Sequence, residues 1–255
     1  MARVFITRSS DGLGLAAAQS LLGDGHEVVL HARSKERAAE VQAAGSGAAS
    51  VVIGDLASQQ EARNVAEQVN ALGRMDAVIH NAGIYTTPDR GSTPEGHATV
   101  LAVNTLAPYI LTALIERPGR LVYLSSGCTA AARVRWRIST GGCAGGTRRS
   151  YAESKLHVAA IAAALARRWP AVLSNAVDPG WVRTSMGGRS APVDLDTGQR
   201  TQSWLAVTDD PRARFNAGYW HNLARQEPAS GVTDVEFQDR RLSRREELTG
   251  VALPV

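Results

Sequence analysis

Short apolar runs rich in β-branched residues recur along the chain, and stretches with apolar positions at helical spacing lie between them. The runs at 2–7, 26–32, 50–55, 75–83, 120–126 and 172–180 predict strands. The stretch "GLGLAAAQSLLGDG" predicts a helix with Leu13, Ala16, Ala17 and Leu21 on its apolar face, stopped by Gly23 and Gly25. Further helices are predicted for "SKERAAEVQAAG", with Ser34 as N-cap, for "SQQEARNVAEQVNALG", for "ATVLAVNTLAPYILTALI" and for the segment that begins "YAESK". Strands alternating with helices imply parallel pairing through right-handed crossovers. The expected architecture is a three-layer, doubly wound α/β sheet, read as a single domain over 1–255. The C-terminal part is less regular. There "TGQRTQSWLAVTDD" predicts a helix, "AGYWHN" an edge strand and "FQDRRLSRREELTGV" a final helix, with a Pro- and Arg-rich loop between the last two.

Composition narrows the function. With 44% hydrophobic and 20% charged residues the chain is not a disordered one. The net charge of +4, mostly arginine in origin, favours an anionic cofactor but forms no basic stripe of the kind nucleic acid requires. Cys128 and Cys143 form no C-x-x-C pair, no histidine cluster has metal-ligand spacing, and two free thiols suit a reducing compartment. No signal peptide or membrane-length apolar run is apparent, so the expected location is cytoplasmic, with no membrane and no nucleic-acid partner and no metal.

Ligands of a doubly wound sheet bind at the carboxyl ends of the strands. After the first strand, Gly12 would allow a tight turn, and Gly14 a close approach of backbone to phosphate at a helix N-terminus; a generic turn is the alternative. Asp55 closes the third strand, where it either accepts a bond from an adenine amino group or simply caps the next helix. "HNAG" ends the fourth strand in small residues, as though something flat packs there. Asn104 stands inside an apolar helix and needs partners. Tyr151 and Lys155 share one helix face at i and i+4.

Taken in order, "TRSSDGLG", "HNAG", Asn104, the "SS" pair, "YAESK" and "DPGWVRT" resemble the short-chain dehydrogenase/reductase family, with its Rossmann fold. The long gap between "LSSG" and "YAESK" and the tail ending "LTGVALP" resemble its retinol-dehydrogenase-like branch and similar bacterial oxidoreductases. The resemblance runs from Arg3 to about Thr184, and leaves 184–255 as substrate-side loop, helix and C-terminal elements. It implies an oxidoreductase that interconverts a carbonyl and an alcohol. Tyr151 would be the general acid/base, Lys155 would lower its pKa and hold the nicotinamide ribose, and Ser126 would polarise the carbonyl, with Ser125 as second choice. Asn104 would hold a relay water. Thr7, Arg8, Ser10, Gly12, Leu13 and Gly14 would form the cofactor turn. Asn81, Ala82 and Gly83 would line the adenosine side, with Asp55 and Leu56 against adenine. Pro179, Gly180 and Val182 would form the turn below the nicotinamide, and Thr184 would bond its carboxamide. The family also suggests a homodimer or homotetramer built on the helices of Asn104 and Tyr151, the latter alanine-rich, although that helix could equally pack inside its own subunit.

Cofactor choice is read after the second strand. "LHARSKERA" offers Arg33, then Ser34 and Lys35, and no carboxylate, which favours NADP(H) over NAD(H). Arg8 departs from the family by replacing a glycine. It would act by turning outward, to clamp the ribose 2′-phosphate together with Arg33; the alternatives are that it merely lies on the surface beside a functional turn, or that it weakens cofactor binding. The segment between Ser126 and Tyr151 holds Arg133, Arg135, Trp136, Arg137, Arg148 and Arg149 and no acid, and reads as a solvated loop or a basic lip for an anionic substrate. Trp181, Met186 and Trp204 are candidates for an apolar substrate wall, and Arg189 for a carboxylate contact. The alternatives are dehydratase or epimerase chemistry on the same scaffold, or an inactive cofactor-binding regulator. Retention of Ser126, Tyr151, Lys155 and Asn104 together argues against the latter.

Overall fold

The computed structural model describes residues 1–43, 47–85, 91–131 and 146–255. Its sheet contains β1 (Arg3–Ile6), β2 (Glu27–Ala32), β3 (Ser50–Ile53), β4 (Ala77–His80), β5 (Arg120–Leu124), β6 (Leu173–Val177), β7 (Tyr219–His221) and β8 (Ala224–Gln226). The order across the sheet is β3-β2-β1-β4-β5-β6-β7-β8. Neighbours from β3 to β7 pair in parallel, and β8 returns antiparallel to β7. Strand order reverses between β1 and β4, which opens a crevice at their carboxyl ends.

The helices are α1 (Gly12–Gly23), α2 (Lys35–Ala43), α3 (Gln59–Ala71), α4 (Thr99–Leu101), α5 (Ala107–Leu114), α6 (Gly146–Arg168), α7 (Leu195–Val207), α8 (Ser230–Thr233) and α9 (Val235–Thr249). A π-helical turn at Ala102–Leu106 joins α4 to α5. Alternation along each strand divides the core into two layers. Phe5, Val29 and Val78 point to the layer of Val65, Ile110 and Ile161 from α3, α5 and α6. Val4, Ile6, Val28 and Leu30 point to the layer of Leu21 and Leu205 from α1 and α7. The helix caps follow from side-chain chemistry. Ser58 accepts from the Glu61 N–H at the start of α3, so Ser58 rather than Asp55 caps that helix.

One expectation changes. "AGYWHN" does form a strand, but β8 rather than β7 is the edge, and β8 lies where a loop was expected. The connecting residues Asn222 and Leu223 take φ of 46° and 60°, the paired left-handed conformation of a tight hairpin turn. No glycine marks that turn, so its sequence carries little signal. In α6, Ala159, Ala160, Ala162 and Ala164 are buried within the chain, and α8 and α9 pack against it. Among the described residues no helix is long and apolar enough to cross a membrane.

Candidate active site

A cleft of about 620 Å³ opens at the carboxyl ends of β1, β4, β5 and β6. Each strand contributes the residues that follow it: Arg8, Gly12 and Leu13 after β1, Asn81, Gly83 and Tyr85 after β4, Ser126 and Cys128 after β5, and Asp178, Pro179 and Gly180 after β6. Tyr151 and Lys155 of α6 and Thr184 complete the lining. The N-terminus of α1 faces this space, its N-cap Asp11 lining the cleft and pairing with Arg8. A helix N-terminus favours an anion.

Arg8 occupies a left-handed conformation, φ 50°, beside Gly12 at φ 55°. Local bonds impose it. The Arg8 N–H donates to His31 Nδ1 at 2.9 Å, and the Ser9 N–H to the His31 carbonyl at 3.2 Å. The His31 N–H returns a bond to Ser9 Oγ at 2.8 Å. Because Nδ1 accepts, Nε2 carries the proton and donates to the Gly54 carbonyl at 2.9 Å. Burial pushes the His31 pKa down to about 4, so the ring is neutral. From the other side, Asn81 Nδ2 donates to the Thr7 and Arg8 carbonyls, each at 3.0 Å. Thr7 Oγ1 accepts from the Ala82 N–H at 2.9 Å. Gly14 sits so close that a Cβ there would lie 2.3 Å from the Arg8 carbonyl. Thr7, Gly14 and Ala82 therefore shape the turn from behind, outside the cleft lining.

The Arg8 side chain does not turn outward. Its guanidinium donates to the Gly83 carbonyl after β4, and its Nε lies 3.6 Å from Asp11. Arg33 is exposed after β2, on the opposite side of β1. Two strand spacings, about 10 Å, separate those strand ends. The expected two-arginine clamp on one phosphate does not form in this geometry, because the carbonyl of Gly83 and the carboxylate of Asp11 draw Arg8 the other way.

Ser126, Tyr151 and Lys155 meet in the cleft. Ser125 spends its hydroxyl on the Lys155 carbonyl at 2.9 Å and is buried. Ser126 Oγ accepts from Cys128 Sγ at 3.2 Å. Lys155 Nζ donates to the Leu124 carbonyl at 2.8 Å and lies 5.7 Å from the Tyr151 ring centre. Burial pushes the lysine down to about 8, and it raises the Tyr151 phenol well above its ordinary value. Tyr85 meets the Tyr151 ring edge-on at 5.0 Å. Asn104 lies in the π-helical turn, a feature that often marks functional sites. Its Oδ1 accepts from the Ile84 N–H at 2.8 Å, and its Nδ2 donates to the Ile84 carbonyl and to Ser154 Oγ. That leaves the second lone pair of Oδ1 for a water.

Other expected residues divide. Pro179, Gly180, Val182 and Thr184 line the cleft. Thr184 Oγ1 accepts from the Gly187 N–H at 3.0 Å. Asp55, Leu56, Ser10 and Arg33 do not line it. Asp55 Oδ1 accepts from the Ala57 N–H at 2.9 Å, and the Leu56 side chain is part of the core. Trp181 and Met186 stand exposed at the cleft rim, whereas Trp204 packs edge-on against Trp220. Cys143 and most of the arginine-rich segment fall in 132–145, outside the described residues. Sequence reading assigned no role to His31, Ser9, Tyr85, Cys128 or Asp178. Only Asp178 carried a signal, an acid next to the Pro-Gly pair.

The short chain dehydrogenase family matches residues 2–193. An uncharacterized oxidoreductase of Emericella nidulans is 42% identical over 259 residues, covering 100% of this chain and 99% of its own. The short-chain dehydrogenase chyC of Penicillium rubens is 38% identical over 259 residues and covers 100% of both chains. Among solved structures, the carbonyl reductase Sniffer of D. melanogaster superposes with a TM-score of 0.68 at 20% identity, over 90% of this chain and 99% of its own, a likeness of fold. With the doubly wound sheet, the Tyr151–Lys155 pair in the crevice and this family match, the chain belongs to the short-chain dehydrogenases, NAD(P)-dependent oxidoreductases acting on small molecules.

Proposed function

We propose that the protein is an NADP(H)-dependent oxidoreductase that interconverts a carbonyl and an alcohol, with Tyr151 as the proton-exchanging group. The observation that carries this reading is the buried Lys155 ammonium beside Tyr151, in one cleft with Ser126. The half-buried Tyr151, its pKa raised by desolvation, stays a phenol at neutral pH, the form that donates a proton to a carbonyl oxygen being reduced. In the reverse direction the phenol must lose its proton, and the lysine charge favours the phenolate. Ser126 donates to the same substrate oxygen and fixes its position. Asn104 steadies the strand end at Ile84 and offers Oδ1 to a relay water.

The cleft fits a dinucleotide. The α1 N-terminus lines it, and a Cβ at Gly83 would press against Lys155 Nζ at 3.0 Å. Bound nicotinamide supplies or accepts the hydride. Arg33, with Ser34 and Lys35, takes the 2′-phosphate, and Arg8, drawn to the β4 side, takes the pyrophosphate. Titration with NADPH and NADH, followed by nicotinamide fluorescence, tests the cofactor assignment. Tighter binding of NADPH, reversed toward NADH by Arg33→Asp, is the expected result, and equal binding would overturn it. Tyr151→Phe should lower turnover by about 10²–10⁴-fold and leave NADPH binding nearly intact. Persistent turnover would remove Tyr151 from the chemistry.

A further inference from the structure

Asp178 is a carboxylate lining the cleft that the proton and hydride chemistry does not use. It follows β6, lines the cleft with Ser126, Gly127 and Tyr151, and its side chain is 16% exposed. Its Oδ1 accepts from the Gly180 N–H at 3.0 Å. Its Oδ2 has no hydrogen-bond partner among the described residues. The nearest cation-capable group is His221, whose Nδ1 lies 3.7 Å from Oδ2 but only 3.0 Å from the Asp178 carbonyl, the acceptor it uses. Oδ2 rests against Gly127, where a Cβ would lie 2.7 Å from it. The missing side chain at Gly127 is therefore what admits the carboxylate beside Ser126. The same cleft is lined by aromatic and thioether side chains. Trp181 is 57% exposed, its Nε1 turned to the Gly187 carbonyl, and Met186 and Tyr85 line the same space. The lysine and arginine of the cleft, Lys155 and Arg8, engage the carbonyls of Leu124 and Gly83. A carboxylate acceptor in a cleft that also presents aromatic side chains is the chemistry that recognises an ammonium group.

We propose that Asp178 reads a cationic amine on the substrate, so that the preferred carbonyl compound carries a protonated nitrogen beside an apolar or aromatic body. This rests on the carbonyl–alcohol reading and names a substrate class for it. It also opposes an anionic substrate, which the free Oδ2 would repel.

The test compares para-(aminomethyl)acetophenone with its neutral isostere para-ethylacetophenone and the anionic para-acetylbenzoate. Reduction by NADPH gives kcat/KM, and calorimetry on the protein loaded with NADP+ gives affinity without turnover. The ammonium ketone should lead the neutral one by about tenfold in either readout, and the benzoate should be weakest. In Asp178→Asn the ratio should collapse to near unity. Because the readout is a ratio within one preparation, a general loss of activity does not mimic it. Gly127→Ala, whose methyl must push Oδ2 aside, should collapse the same ratio if Asp178→Asn does not fold. Equal treatment of the three ketones by the wild type, or a ratio that survives in both variants, would overturn the proposal. Ammonium binding that depends on Asp178 without turnover of any ketone would support the subsite and sink the carbonyl reading instead.

Discussion

The backbone N–H of Arg8 donates to Nδ1 of His31 at 2.9 Å, and this bond holds a non-glycine residue in a left-handed turn at the mouth of the cofactor cleft. The imidazole can accept only while neutral. Burial lowers its pKa from 6.5 to about 4. A depressed pKa means that the stabilisation is complete above pH 6.5 and is lost as pH falls through about 4. His80, held down to about 3 by burial, and His157, lowered by burial and by Arg245 and Arg241, add to the same acid limb. Thermal unfolding followed from pH 7.5 to 4, about the window these shifts define, should show falling stability. His31→Gln should flatten part of that slope, and an unchanged slope would mean that the ring does not titrate on unfolding.

Arg8→Gly separates backbone from side chain. Glycine relieves a left-handed conformation that costs an L-residue about 1–2 kcal/mol. The lost guanidinium removes its bond to Gly83 and, on the reading above, one to the cofactor pyrophosphate. The expected variant melts no lower than the wild type and binds NADPH about tenfold more weakly, the value of one charge-assisted hydrogen bond. Tighter NADPH binding would show instead that Arg8 obstructs the cleft.

The adjacent serines should part cleanly. Ser125 is buried with its hydroxyl on the Lys155 carbonyl, so Ser125→Ala should cost about 1 kcal/mol of stability. Ser126 faces the cleft, so Ser126→Ala should lower kcat with little change in unfolding. Kinetics and denaturant unfolding on both variants check this. The opposite pattern would exchange their roles.

Arg245 is fully buried at the interface of α9 with α6, 0% exposed. Its Nη1 donates to the Arg241 carbonyl, but Nε and Nη2 have no partner among the described residues. Burial and neighbouring Arg241 press its pKa down to about 9. A desolvated cation without a carboxylate is a poor core residue, so Arg245→Met should stabilise the fold by about 1–3 kcal/mol. A lower melting temperature would reveal a partner that the arginine serves.

The periodicity of apolar residues was enough to determine β1 to β6 and their crossovers, because each short buried run needs a helix on either face. Tyr151 and Lys155 were legible as a pair on one helix face, Ser126 and Thr184 only through the family resemblance, and the fold gathers all four in one cleft. Direction was not legible. Arg8 points to Gly83 because β4 happens to flank β1 there, and the free oxygen of Asp178 depends on the bare backbone of Gly127, 51 residues away in sequence. The β7–β8 hairpin turns on Asn222 and Leu223, and a leucine in the left-handed region is not what turn rules anticipate. The burial of α6 beneath α9 likewise arises from packing between segments distant along the chain. Local pattern thus determined which elements form and which groups stand at their ends, while tertiary contacts decided where those groups aim.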